Sequence, residues 1–323
     1  MFKNLASHKA KVVAIGLLLL LLTIAPSDAF ATHSDQNPPE PEPSATLELL
    51  GQYVVDLDGH TTDVWALGNY AYIGAFHNPV CSFDITGVRV IDISDPTNPT
   101  LAAFIPASPG SRNNDVKVAS LNTSSWNGDI LVRTNEQCGT PLIPRLNSNG
   151  VSGNSGRGGI DIFDVTDPTN PHALKQNFLP KANGIHNTYI WEDGNGNAYL
   201  LAVDDVALDD VIVVDITKPH SPKEIARTGQ ADWPSDIASE IEGPAVFLHD
   251  VWVQDGIAYL SYWDAGLVLL DVSDPADPVE VGRYTEPGTN FWGVYKETNS
   301  PFFYGSDRNG GLYVFKEQGS GSG

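Results

Sequence analysis

Apolar residues along this chain fall into short β-branched and aromatic runs, each cut off by Asp, Asn, Gly or Pro, which is the pattern of brief strands joined by turns. One run recurs four times: Val90-Ile-Asp-Ile-Ser-Asp-Pro-Thr-Asn-Pro99, Ile162-Phe-Asp-Val-Thr-Asp-Pro-Thr-Asn-Pro171, Val213-Val-Asp-Ile-Thr-Lys-Pro-His-Ser-Pro222 and Leu269-Leu-Asp-Val-Ser-Asp-Pro-Ala-Asp-Pro278. Each copy reads as a strand, an Asp-rich turn whose short side chains bond the local backbone, and two prolines that end the ladder and launch another strand. On this reading the repeated Asp92, Asp164, Asp215 and Asp271 are turn formers.

Two further strands precede each copy: Asp63-Val-Trp-Ala with Ala71-Tyr-Ile-Gly, Asp115-Val-Lys-Val with Ile130-Leu-Val-Arg, Asn187-Thr-Tyr-Ile with Ala198-Tyr-Leu-Leu, and Asp250-Val-Trp-Val with Ala258-Tyr-Leu-Ser. The repeat is therefore a four-stranded unit. A fifth copy (Gly293-Val-Tyr-Lys, Phe303-Tyr-Gly-Ser, Gly311-Leu-Tyr-Val-Phe) stops after its third strand. Leu47-Glu-Leu-Leu-Gly-Gln-Tyr-Val-Val at the other end matches a fourth strand, Val279-Glu-Val-Gly-Arg-Tyr. The pattern predicts an all-β fold, a five-bladed β-propeller of four-stranded blades whose last blade is closed by the N-terminal strand, a closure that removes exposed sheet edges.

The Gly-Leu-Val-Leu-Leu-Asp-Val-Ser-Asp-Pro run at 266–275, with Ala-Tyr before it, resembles the LVIVD repeat of bacterial and archaeal cell-surface proteins, and the likeness extends over nearly all of the chain after its leader. The resemblance implies a propeller in an extracellular setting and carries no catalytic residues with it.

The N-terminus agrees with that setting. Lys3, Lys9 and Lys11 precede an apolar run from Val12 to Ile24, too short to span a bilayer, and Ala29-Phe30-Ala31 offers a cleavage pattern, so residues 1–31 read as a signal peptide and the chain as secreted or cell-surface, without a transmembrane anchor. Residues 32–45, rich in Pro and acidic groups, read as an extended linker, 46–317 as the propeller and 318–323 as a flexible tail. A formal charge of −22 makes nucleic acid an unfavourable partner and suits cations or neutral ligands. The two cysteines, Cys81 and Cys138, fall in corresponding loops of adjacent blades and are expected to pair as a disulfide.

Insertions concentrate on one face, at 76–86, 135–158 and 204–210 between second and third strands, and at 106–113 and 229–247 between blades. This loop-rich upper face is the expected binding face. Around it, the starts of the innermost strands offer Thr62-Asp63, Asn114-Asp115, His186-Asn187, His249-Asp250 and Trp292-Gly293, with His60 just before the first. His60, His186, His249 and Asp250 are candidate ligands for a divalent metal ion. Asp63, Asp115 and Asn187, with Asp264 and Asp307, are expected to line the channel, and Asp204, Asp264 and Asp307 offer an outer shell or a calcium site. Because an Asp or Asn recurs with the fold, its first role is to hold neighbouring blades in register, whereas the histidines break the repeat.

Trp233, Trp263 and Trp292 are candidate ligand contacts, while Trp65 and Trp252 read as packing residues of the inner strands. Asp193-Gly-Asn-Gly-Asn197 looks like the opening of a calcium loop but lacks its later glycine and glutamate, and reads as a hairpin turn. No G-x-S-x-G, Walker, H-E-x-x-H or C-x-x-C motif is present. The sequence points first to a monomeric binding or interaction module for an extracellular protein, glycan or small ligand. Two enzyme alternatives stand beside it: a metal-dependent hydrolase or lyase at the channel mouth, and a glycoside hydrolase using two of Asp63, Asp115 and Asp250.

Overall fold

The computed structural model describes residues 47–55, 60–76, 86–108, 110–137, 158–179, 184–204, 207–234, 237, 241, 243 and 245–317. Their strands form successive antiparallel sheets. The first holds β1 (His60–Leu67), β2 (Tyr70–Phe76), β3 (Gly87–Asp92) and β4 (Thr100–Pro106) in that order. In the second, β6 (Val116–Asn122) pairs with β7 (Asn127–Gln137), followed by β8 (Gly159–Asp164) and β9 (His172–Phe178), and the short β5 (Ser111–Arg112) pairs with the far end of β7. The third is β10 (Ile185–Glu192), β11 (Ala198–Asp204), β12 (Val211–Asp215) and β13 (Lys223–Thr228). The fourth is β14 (Leu248–Gln254), β15 (Ile257–Tyr262), β16 (Gly266–Asp271) and β17 (Val279–Tyr284), and the last is β18 (Phe291–Lys296), β19 (Phe302–Asp307) and β20 (Gly311–Lys316).

The turns form as the repeated phrase dictates. Asp92, Asp164, Asp215 and Asp271 each accept a hydrogen bond from the backbone N–H two residues on, at 2.8–2.9 Å. Asp193 does the same for Asn195 at 2.7 Å, which makes 193–197 the β10–β11 turn. Between sheets the contact is apolar. Ile130, Val132, Ile160 and Ile162 of the second sheet, for example, meet Leu200, Ala202, Ile212 and Val214 of the third, all fully buried. Similar clusters join the first sheet to the second, the third to the fourth and the fourth to the fifth. Sheets packed face to face in chain order, with β1, β6, β10, β14 and β18 innermost, are arranged as the blades of a propeller.

The last sheet has three described strands, and residues 47–55 pair with none. Gly51 instead lies so close to the β3–β4 turn that a Cβ there would overlap the Pro96 carbonyl oxygen. Among the described residues no helix is long and apolar enough to cross a membrane. Cys81 and Cys138, the proposed signal peptide, linker and tail, and most of the long loops at 77–85 and 138–157 lie outside the described residues.

Candidate functional site

All five innermost strands carry one extra residue near their start. The register slips between Thr61 and Val64, Ile185 and Thr188, Leu248 and Asp250, and Phe291 and Gly293, and the break between β5 and β6 does the same in the second sheet. In an unbroken strand neighbouring side chains point to opposite faces; a bulge re-aims them. As a result the consecutive pairs Thr62-Asp63, Asn114-Asp115, His186-Asn187 and His249-Asp250 all line one cavity of about 530 Å³, with Phe247, Trp263 and Trp292. This brings together His186, His249, Asp250, Asp63, Asp115, Asn187, Trp263 and Trp292 of the residues expected from sequence.

The polar side of the cavity ties one blade to the next. Asp115 Oδ2 accepts from the Thr188 N–H at 2.9 Å and the Thr188 hydroxyl at 2.6 Å. Asp250 Oδ2 accepts from the Val294 N–H at 3.0 Å, and its Oδ1 from Asn187 Nδ2 at 2.9 Å. Asn114 Nδ2 donates to the His186 carbonyl at 3.1 Å, and Thr62 Oγ1 to that of Asn113 at 3.1 Å. These are the register bonds expected of a recurring Asp or Asn. Asp115 and Asp250, offered above as hydrolytic carboxylates, have both oxygens engaged, whereas Asp63 keeps 38% of its side chain exposed.

Two residues further along the inner strands, on the same face, come Trp65, Lys117, Tyr189, Trp252 and Tyr295. Four are aromatic and stack in sequence: Tyr189 lies 4.9 Å from Trp252, and Trp252 4.9 Å from Tyr295. Lys117 replaces the fifth ring. Its ammonium sits 5.1 Å over Trp65 and donates to Asp63 Oδ2 at 2.6 Å and to Asp115 Oδ1. Burial pushes the Asp115 carboxyl up to about 7, against the pull of Lys117 and with the help of neighbouring Asp63. Burial acts to lower Lys117, but the two carboxylates outweigh it and hold the lysine above its ordinary value. Sequence reading passed over Lys117, although a lysine in a column of aromatic residues was its signal.

The two histidines stand side by side, ring centroids 4.9 Å apart. Each has Nδ1 committed: His186 donates to Glu136 Oε1 at 2.7 Å, and His249 to the Trp292 carbonyl at 2.6 Å. Arg112 orients Glu136 from behind, with Nε and Nη2 at 2.8 and 2.6 Å from Oε2. Burial alone would raise the Glu136 carboxyl, but His186 and Arg112 hold it below its ordinary value. Arg112 and Glu136 lie in the part of the second sheet that departs from the repeat, so alignment of the copies has nothing to match them to. His60 opens β1, and its side chain lies outside the described residues. Among the described residues no three His, Cys, Asp or Glu side chains gather as a metal-binding group.

Burial first, and the neighbouring His186 second, pull His249 down to about 3. An unfolded chain binds this proton below about 6.5, so the folded form loses stability as pH falls from there toward 3. We expect the urea midpoint to drop less between pH 7 and pH 4.5 in His249→Gln than in the parent; equal drops would show that His249 does not titrate in this way.

Four expected residues lie elsewhere. Trp233 faces a separate depression between the third and fourth sheets, with Pro234 and Ile237 beside it, 5.0 Å from the Tyr262 ring and beneath the Arg283 guanidinium at 4.0 Å. Asp264 accepts from the Ala245 N–H and from Asn290 Nδ2, behind the cavity wall. Asp307 is absorbed by the N–H groups of Asn290 and Asn309. Asp204 caps its own loop through the Ala207 N–H at 3.3 Å.

Solved structures of similar chain course are distant in sequence. A candidate exo-beta-1,3-galactanase from Bifidobacterium bifidum s17 shares 11% identity over 80% of this chain and 87% of its own, with a TM-score of 0.46. The Cps50 (Swd1) β-propeller domain of Myceliophteria thermophila shares 9% over 77% and 68%, with a TM-score of 0.49. The computationally designed Ika4 protein shares 9% over 62% and 92%, with a TM-score of 0.36. No match was found among curated proteins. The family model of the LVIVD repeat matches residues 58–104 and 248–286, which are the first sheet and the fourth. The chain therefore carries the LVIVD repeat in its first and fourth sheets, and related phrases, ending in Asp167-Pro168 and Lys218-Pro219, follow the third strands of the two sheets between them.

Proposed function

We propose that this chain is a secreted or cell-surface five-bladed propeller, closed by its N-terminal strand, that works as a binding module by taking a small extracellular ligand into its axial cavity from the loop-rich face. The observation that carries the reading is the cavity itself, in which the first residues of the inner strands supply polar groups and Trp292, and Phe247 before β14 and Trp263 after β15 complete an aromatic wall. Pockets of a few hundred Å³ with a mainly apolar lining and a few fixed polar groups are the usual seats of small ligands.

Closure is supported by the way residues 47–55 meet the first sheet. Burial lowers the guanidinium of Arg89, third residue of β3 counted from Gly87, and Tyr53 lies near enough to oppose that shift in part. Tyr284, its counterpart in the fourth sheet, meets Tyr313, the third residue of β20, with ring centroids 6.0 Å apart. The N-terminal segment thus lies on the first blade as β17 lies on the last. The basic, apolar leader and its small-residue cleavage pattern support export.

The test of binding is a tryptophan-emission titration of the purified protein with methyl glycosides, amino acids, nucleosides and alkylammonium salts at millimolar concentration. At least one class is expected to shift the emission of the parent and not of Trp292→Ala. No shift from any class would remove the small-ligand reading.

A further inference from the structure

The charges around the axial cavity are all answered from within the protein. Asp63 and Asp115 share Lys117, Asp250 accepts from Val294 and Asn187, and Glu136 is held between Arg112 and His186. Each of these carboxylates already has a partner within the protein, and a chain of formal charge −22 repels an anion. What remains available is neutral and of two kinds. One wall is aromatic: Trp263 and Trp292 stack at 4.9 Å with 19° between their planes, Phe247 continues the surface 4.7 Å from Trp263, and Trp292 stays 37% exposed. The other wall is polar: Thr62, Asp63, Asn114 and Asn187 belong to it, and Asp63 keeps 38% of its side chain exposed.

A ligand that suits both walls carries hydrogen-bonding groups and no net charge, and presents a flat C–H face to the indoles. Hydroxyl groups on a saturated ring meet all of these conditions. We propose that the cavity is a saccharide subsite that seats one neutral pyranose ring against Trp292 and Trp263, with ring hydroxyls directed to Asn187, Asp63 and Asp250. The volume of about 530 Å³ leaves room for a neighbouring ring toward the open mouth, so the end or a short branch of a glycan is the natural ligand.

The inference rests on the small-ligand reading and fails separately from it. Isothermal titration of the full chain with the methyl pyranosides of glucose, galactose, mannose and N-acetylglucosamine, and with tetramethylammonium chloride, is the deciding experiment. We expect one pyranoside to bind, tetramethylammonium not to, and Trp292→Ala to weaken binding by about tenfold, the scale of one aromatic contact. Asp63→Asn is expected to weaken it by a smaller factor while leaving Trp292 in place, and Trp233→Ala, in the other depression, to leave affinity unchanged. Melting curves of all variants identify any that do not fold, and Trp292→Phe, expected to keep part of the affinity, serves if Trp292→Ala does not. Binding of tetramethylammonium without any pyranoside would overturn the saccharide assignment but keep a ligand cavity. Pyranoside binding untouched by both Trp292 variants would place the sugar elsewhere, and overturn it too.

Discussion

Replacing Arg133 by Met is expected to lower the unfolding free energy by about 3–5 kcal/mol, the usual cost of stranding one partner of a buried ion pair. Arg133 and Asp161 are 1% and 0% exposed. Arg133 Nε and Nη2 donate to Asp161 Oδ2 at 3.0 and 2.8 Å, while Nη1 reaches back to the carbonyls of Pro106 and Ile105 at 2.6 and 3.2 Å, where the first sheet ends. Asp161 Oδ1 in turn accepts from the N–H of Asn177, which sits at φ 54. One guanidinium therefore ties the outer strand of the first blade to three strands of the second. Met restores the aliphatic volume but leaves a buried carboxylate without its counter-charge, held only by the Ser108 hydroxyl and the Asn177 N–H, and removes the guanidinium donor from two carbonyls. Urea unfolding gives the number. The double variant Arg133→Met, Asp161→Asn keeps an acceptor for Asn177 without the charge and is expected to recover part of the loss. A single-variant cost below about 1 kcal/mol would mean that water reaches this network and that it does not fasten the blades.

Deletion of residues 47–55 is expected to cost a similar amount, about 3–5 kcal/mol, and to change the association state. Leu312 and Val314 of β20 are 68% and 59% exposed, and Leu49 and Val54 of the N-terminal segment 81% and 70%. Closing the last blade would cover both sets, and one fully buried aliphatic side chain is worth about 1.5–3 kcal/mol. Without the segment, β20 keeps a free backbone edge that invites pairing with another copy. Thermal melting with light scattering reads both effects. A truncated chain that melts with the parent and stays monomeric would show that these residues are a tether and that the ring closes without them.

The repeat made most of the architecture readable. Strand runs, Asp turns and proline breaks are local chemistry, and Asp92, Asp164, Asp215 and Asp271 form the turn bonds their spacing predicts. Aligning the copies also placed the starts of the inner strands together, which is why Asp63, Asp115, Asn187, His186, His249 and Asp250 could be named as neighbours. Alignment works least well where a residue leaves the pattern. Trp233, Asp264 and Asp307 looked equivalent to cavity residues by their loops, yet the inter-blade loop and nearby backbone N–H groups take them away. Lys117, Arg112 and Glu136 were missed because each occupies a position where the other copies offer something else or nothing.

The sequence by itself determined the strands, their turns, the order of the sheets and the face on which polar residues begin each inner strand, because period and turn chemistry act over a few residues. The tertiary structure alone decided which of those side chains meet. A single extra residue at the head of each inner strand turns two consecutive side chains toward the shared cavity, and the packing of neighbouring sheets then sets Lys117 between two aspartates, His186 on Glu136, and Trp263 against Trp292. Bulges and inter-sheet contacts are long-range outcomes of packing, and local periodicity does not encode them.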